Sequence, residues 1–589
     1  MFRLALLRFS SPTHAARCIV LTLASVLASI LAPAFALGQA GSIDFTAPLQ
    51  HIEGFGFSAA FGEANALRKL PPESQRRILD LLYSPQTGAG LTILRLGIMT
   101  DSNIEPNAPA SSEATPVYTF DGSDGGQVWL ARQGQKYGVN NFIADAWSAP
   151  IYMKTNKALA HGGYLCGVPD ATCKDGDWRH PFANYLLQYV ADYKKEDIPI
   201  GTLGFTNEPD LPASYTSMLF TPAQAIDFIK VLGPAVKASG LPLKLHCCDS
   251  SKWTFAIPFT TAIMADPIAS SYIDIISPHE YGTHATSPQP TTKPVWMTEW
   301  ASSNGVFEPR WDCNSCPGGP DGMYFANDII QAFNAGNVNA YLYWWGTSTG
   351  AAALIKTTDT DYTIAARYYA LAAISRFVRP DAYRVASTNT NASLNAVAFR
   401  NPDGSKIIAL LNTDKAAVAA TFTVDTASAD AAAKTYLTDA THTLEQTNTA
   451  TVAGRTLSVT LPARSLTTIV LSPPATKGAI KLVTTSTLQK LGDGSIQASI
   501  KIANTGSGTA QNVQLKTAVL GSASGIPVPG VTLPQSIGSI AAGGYIIVPL
   551  NFASAAGSNM RITGTYTGGS FKATMRAALP QAIGAPAAL

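Results

Sequence analysis

The chain has 589 residues, too many for one compact core, so two or three domains are expected. Charged residues make up 14% of it and hydrophobic ones 46%, with a formal net charge of +2 at pH 7. That balance suits an exported β-rich protein and, with no basic patch in the chain, excludes a nucleic-acid binder.

In chain order, "MFRLALLRFSSPTHAAR" carries three arginines and no acid, "CIVLTLASVLASILAPAFAL" is apolar, and "AFALGQA" offers small residues for cleavage after Ala36 or Ala40. Residues 1–40 therefore read as a secretory signal. An anchoring helix competes, since the apolar run is just long enough to span a bilayer. Small residues close the run and no basic stop-transfer cluster follows, which favours cleavage. The expectation is a secreted protein, extracellular or periplasmic, with no membrane contact once the signal is removed.

From residue 51 to 375 short apolar runs alternate with helix-length stretches. The strand candidates are "HIEGFGF", "LTILRLG", "NNFIADAW", "IGTLGFTN", "LPLKLHCC", "YIDIISPHEY", "KPVWMTEW" and "NVNAYLYWW". Most precede an amphipathic segment such as "RHPFANYLLQYVADYKKE". Eight such units predict an α/β fold, a (β/α)8 TIM barrel. The sixth helix is the weak one, because "GTHATSPQPTT" reads as a loop. A doubly wound sheet would pattern similarly, but no Gly-rich phosphate loop follows the first strand.

Cys18 lies in the signal, leaving Cys166, Cys173, Cys247, Cys248, Cys313 and Cys316. An even number in an oxidising compartment predicts disulfides, with Cys166–Cys173 and Cys313–Cys316 as local loops and the full connectivity open. Zinc ligation competes weakly, since one CxxC is half a structural site. No metal and no cofactor is expected.

Residues 376–474 change texture to short alternating runs, "NAVAFR", "KIIALLN", "ATFTVDT", "TLSVTLP" and "TTIVLS", which predict a β-sandwich side domain. The segment 41–50, "GSIDFTAPLQ", is expected to add a strand to it. Residues 475–480 read as a linker, and 481–580 as an additional C-terminal Ig-like β domain. Residues 476–589 carry eight Lys or Arg, one Asp and no Trp. That suits a spacer or stability module better than a platform for stacking on crystalline polysaccharide.

In such a barrel, reactive side chains gather at the C-terminal ends of the strands. Glu208, in "TLGFTNEPDLP", ends the fourth candidate, and Glu299, in "VWMTEW", ends the seventh. Strands four and seven face one another across the barrel, so these two carboxylates can approach. Glycoside cleavage needs such a pair, and a separation of about 5 Å implies retention through a covalent glycosyl-enzyme. Glu208 is assigned as acid/base and Glu299 as nucleophile, with Asn207 placed to hydrogen-bond the sugar 2-hydroxyl. An Asn-Glu-Pro triplet alone is also a common helix start; its pairing with Glu299 is what favours the catalytic reading.

The motifs "IEGFGFSAAFGEA", "ADAWSAPIYMKTN", "LCGVPDATCKDGDWR", "LGFTNEPDL" and "HCCDSSKW", in that order, resemble glycoside hydrolase family 30, and more narrowly its subfamily 7 xylanases. The resemblance covers residues 42–472 and implies β-1,4-xylan as substrate. It supports site roles for Trp147, Arg95 and Tyr281, Arg95 holding the charge of Glu299 and Tyr281 donating a hydrogen bond to it. His279, Trp300, Trp344 and Trp345 also flank strand ends. For His279 and one of the adjacent tryptophans, barrel packing is an equal reading, because neighbouring strand residues point to opposite faces. Some subfamily 7 members carry an Arg after strand one that pairs with the glucuronic acid of xylan; the matching place here holds Glu63, which implies independence from that side group. Arg310, in a loop that departs from the family pattern, is a possible substitute.

The expected protein is thus a monomeric xylanase, endo-acting or xylobiohydrolase in type, working on polysaccharide or oligosaccharide. The alternatives are another hydrolase of the family (β-glucosidase, glucosylceramidase or β-1,6-glucanase) or a non-catalytic carbohydrate-binding protein, against which both glutamates argue.

Overall fold

Short runs rich in Ile, Leu, Phe and Ala form the strands Gly54–Ser58, Ile93–Ile98, Asn141–Ala146, Ile200–Gly204, Lys244–Ser250, Ile275–Pro278, Trp296–Met297 and Ala340–Trp345. In the computed structural model these pair in parallel in chain order, and the eighth returns to both the first and the seventh. The sixth and seventh are joined by single bridges, Ile276 to Val295 and His279 to Glu299, which complete the ring. Burial on both faces explains why these strands read as continuous apolar runs. Ile93, Ile143, Ile275, Trp296, Ala340 and Leu342 form one core cluster, separate from a larger one that includes the apolar faces of the helices.

The structure describes residues 38–99, 108–301, 304–313, 315–424, 433–473, 475–527, 529, 532–553 and 559–576. Residues 1–37 of the expected signal lie outside them. Among the described residues no helix is long and apolar enough to cross a membrane.

Helices follow the strands as the periodicity predicts, including Arg179–Lys195 after the third and Pro222–Ser239 after the fourth. Residues 279–295, between the sixth and seventh strands, contain no helix, as the Pro- and Thr-rich sequence there implies. The strand Gly38–Ile52 runs antiparallel to Ala382–Asn389. It joins a ten-stranded sheet around a second core that includes Ile43, Phe45, Val385, Leu410 and Phe422.

The described strands from Leu482–Lys490 to Gly569–Arg576 form two further sheets around their own core of Ile500, Leu515, Leu550 and Ile562. The segment expected as a linker is not free: Thr509 N donates to Thr476 O at 3.1 Å and Gly508 N to Ala479 O at 3.1 Å. Backbone groups beside a strand gain partners by joining it. The domain is also bonded to the rest of the chain. Asn551 Nδ2 donates to Lys136 O at 2.8 Å, Gln489 Nε2 to Asp197 O at 3.1 Å, and Tyr545 N to Pro402 O at 2.9 Å.

Among the described residues three disulfides are present: Cys166–Cys173 and Cys313–Cys316, as expected, and a third between the adjacent Cys247 and Cys248.

Candidate active site

The fourth strand ends at Gly204, and the chain then turns through Asn207 and Glu208 across the barrel rim. A side chain at Gly204 would meet Asp145 Oδ1 at 2.3 Å and His246 at 2.4 Å, so only glycine lets the strand pass that close. Glu208 has φ of 48° and Asp249, at the end of the fifth strand, φ of 50°. Both are in the left-handed region, which costs non-glycine residues about 1–3 kcal/mol each. The strain is held locally, since Glu208 N donates to Asp249 O at 2.9 Å.

Glu208 and Glu299 are both buried, and a carboxylate oxygen of each lies within 4.8 Å of the other and of a His279 ring nitrogen. Arg95, fully buried, joins the site's carboxylates. Its Nη1 donates to Glu299 Oε2 at 2.6 Å, and its Nη2 to Asp145 Oδ2 at 2.8 Å, Asp249 Oδ2 at 2.8 Å and Asn207 Oδ1 at 2.7 Å. Tyr281 Oη donates to Glu299 Oε1 at 2.8 Å, and Tyr215 Oη to Glu208 Oε2 at 2.5 Å. His279 Nδ1 stands 3.4 Å from Glu208 Oε1.

Burial pushes the Glu299 carboxyl above its ordinary value; the His279 and Arg95 cations oppose the shift and Glu208 adds to it. For His279, burial alone would favour the neutral ring, but Glu299, Asp249 and Glu208 reverse the sign and hold its pKa at about 9. It is a cation at neutral pH. Burial raises Asp145, with the Asp249 charge adding to the shift, whereas Arg95 and His246 overcome burial to keep Asp249 well below the carboxylate range. Arg95 therefore has a firmly ionised partner in Asp249.

Of the residues expected here, Arg95, Asn207, Glu208, His279, Tyr281 and Glu299 converge. Trp147 is brought near but is 1% exposed. Its ring lies 4.6 Å from the Arg95 guanidinium carbon and against Phe61 at 5.6 Å and Trp344 at 5.9 Å. Trp344 and Trp345 stack at 4.9 Å, although neighbours on a regular strand diverge. The register shifts there, Phe57 facing Tyr343 and Ser58 facing Trp345, and this irregularity brings the two rings together. Trp300 corrects the expectation. Glu299 points into the barrel mouth, so its neighbour points outward, and the Trp300 ring stacks on Phe325 at 4.1 Å beside His284 and Tyr324. Glu63 is held at Ser348 and Thr349, and burial raises its pKa. Arg310 is engaged by Glu308, with Nε to Oε1 at 2.7 Å and Nη2 to Oε2 at 2.7 Å.

Four further residues belong to the site. Asp145 and Asp249 end the third and fifth strands, so the strand-end rule that found Glu208 could have found them. Phe61 and Tyr215, 38% and 43% exposed, are the rings that meet solvent above Trp147; both lie in loops and carry no periodic signal.

Two family profiles match the chain: the glycosyl hydrolase family 30 TIM-barrel domain over residues 52–295 and the family 30 β-sandwich domain over 381–469. The catalytic domain of family 30 xylanase C from Talaromyces cellulolyticus superposes with a TM-score of 0.70 at 37% identity, covering 73% of this chain and 99% of that one. Glucuronoxylanase XynC of Bacillus subtilis is 27% identical over 300 residues, 49% of this chain and 66% of its own. The lysosomal acid glucosylceramidase of Mus musculus is 24% identical over 397 residues, 62% of this chain and 75% of its own.

Proposed function

The chain belongs to glycoside hydrolase family 30, and on that premise we propose that it is a secreted retaining xylanase, with Glu299 as nucleophile and Glu208 as acid/base. One observation carries the mechanism: the two carboxyl groups approach within 4.8 Å. Retaining pairs are about 5–5.5 Å apart, whereas an inverting pair leaves about 6.5–9.5 Å for a water. In the first step a Glu299 oxygen bonds to the anomeric carbon as the glycosidic bond breaks, and Glu208 gives its proton to the departing oxygen. In the second, Glu208 takes a proton from water, the water oxygen bonds to the anomeric carbon, and the ester to Glu299 breaks. Arg95 and Tyr281 each hold one oxygen of the nucleophile, orienting it for attack. Asn207 Oδ1 accepts from Arg95 Nη2, so its amide NH2 is the group left for a sugar 2-hydroxyl.

Xylan as substrate is supported by the 37% identical xylanase, and export by the leader sequence together with three disulfides. A second reading, hydrolysis of β-glucosides, is favoured by the similarity to a glucosylceramidase over 75% of that protein's length. Product analysis on xylan, β-1,6-glucan and aryl β-glucosides separates the two; release from aryl glucosides with none from xylan supports the second. Glu299→Gln is expected to abolish turnover. Glu208→Gln is expected to retain part of its activity on aryl xylosides with activated leaving groups, and to regain turnover with added azide. Near wild-type hydrolysis of xylan by both variants would overturn the assignment.

A further inference from the structure

Behind the rim that carries Glu299, three further side chains converge. We propose that Glu280, His284 and Asp328 form a binding site for one divalent transition cation, Zn2+ in preference to the alkaline-earth ions. One donor atom from each lies within 4.8 Å of the other two. Glu280 is 0% and Asp328 4% exposed, while the His284 side chain keeps 26% of its surface open and marks the entry path.

The arrangement is that of a built site, because each residue has one atom anchored and one atom facing the centre. Glu280 Oε1 accepts from Ala285 N at 2.7 Å, and its buried Oε2 meets no donor, the Glu280 carboxyl lying within hydrogen-bonding reach of the Asp328 carboxyl. Tyr341 Oη donates to Asp328 Oδ2 at 2.9 Å, which leaves Oδ1 standing 2.7 Å from His284 Nδ1. That Nδ1 is in ion-pair contact with Asp328 without hydrogen-bond geometry, and Tyr324 Oη meets the opposite ring nitrogen, Nε2, at 3.2 Å. Such outer partners fix the tautomer and the aim of metal ligands. Trp300 packs edge-on against the imidazole at 5.0 Å and limits its rotation.

Two buried carboxylates in contact repel unless a proton or a cation lies between them. One imidazole with two carboxylates is a nitrogen–oxygen donor set suited to Zn2+, and the nitrogen counts against Ca2+ and Mg2+. Three protein ligands leave a fourth position for water. Glu280 directly precedes Tyr281, the donor to Glu299, so a bound cation would stiffen the segment that carries that donor.

The test uses the full, untagged chain, freed of metal by dialysis against a chelator. Titration with ZnCl2 followed by calorimetry, and metal analysis after gel filtration, should show about one tightly held equivalent. Thermal midpoints should rise with Zn2+ concentration. Glu280→Gln and Asp328→Asn, which preserve shape, should bind at least about tenfold more weakly, and the half-buried His284→Gln serves if either fails to fold. CaCl2 should bind more weakly than ZnCl2. A wild type that takes up no stoichiometric Zn2+ overturns the proposal and leaves a shared proton between the carboxyls. Equal binding by wild type and variants also overturns it.

Discussion

Arg95 organises the candidate site, since its guanidinium is shared by Glu299, Asp145 and Asp249 in a place with no access to water. A buried ion network is stable only when every charge keeps its partners. On the proposed assignment Glu299 must be ionised to attack, and burial raises its pKa, so activity falls as pH drops through a value above the ordinary 4.5. The Tyr281 hydroxyl lowers that pKa by hydrogen bonding to the carboxylate. Tyr281→Phe should therefore shift the acid limb of the kcat/KM profile to higher pH, and should reduce the plateau about ten- to a hundredfold for loss of a charge-assisted bond. An unmoved acid limb would show that Tyr281 does not act on Glu299. Glu63 is a second residue-scale case: it stands beside Ser348 at the mouth, where a carboxylate repels a uronate. Similar kcat/KM is expected on linear xylo-oligosaccharides and on those bearing glucuronic acid, with a gain of roughly tenfold or more on the latter in Glu63→Arg. A hundredfold preference of the wild type for uronate-bearing chains would contradict this.

At the scale of the element, the helix Pro222–Ser239 shows how local chemistry positions a barrel unit. Its sequence begins "TPAQ": Thr221 N donates to Gln224 Oε1 at 2.8 Å and Gln224 N to Thr221 Oγ1 at 3.3 Å, a capping box with Pro222 at the first helical position. The start is legible from sequence because it depends on four consecutive residues. Thr221→Ala should lower stability by about 1 kcal/mol in denaturant titration with kcat unchanged, since neither cap residue touches the carboxylate pair. The same reasoning fails for the seventh strand, only Trp296–Met297 by its ladder. Its position is set by pairing with the eighth strand and by the bridges to the sixth. Trp300 follows a shorter-range rule: with Glu299 pointing inward, its neighbour turns outward onto Phe325.

Across the whole molecule, separate cores hold the barrel, the sandwich and the C-terminal domain. The last of these is bonded to the barrel helix Gln127–Lys136 and to the sandwich turn at Pro402. Such contacts suit a stabilising module, and none of the bonds described involves the carboxylate pair. A chain ending at residue 475 should keep its kcat/KM on short xylo-oligosaccharides within about twofold while its thermal midpoint drops by about 1–2 °C, as expected when about 1–2 kcal/mol of docking is lost from a chain of this size. A folded truncation without activity would show instead that the domain completes the site.

The sequence by itself determined the eight barrel strands, the helices that follow seven of them with a loop in place of the sixth, the sandwich with its added N-terminal strand, and Glu208 and Glu299 at strand ends. These follow from short-range periodicity, from turn residues and from the rule that strand ends converge. Only the tertiary structure decided that Asp145 and Asp249 share Arg95, that Phe61 and Tyr215 cover the mouth, that both Trp344 and Trp345 face one way, and that Glu280, His284 and Asp328 meet. Each of those depends on groups far apart in the chain, whose desolvation and charge become coupled only when packing brings them within hydrogen-bonding distance.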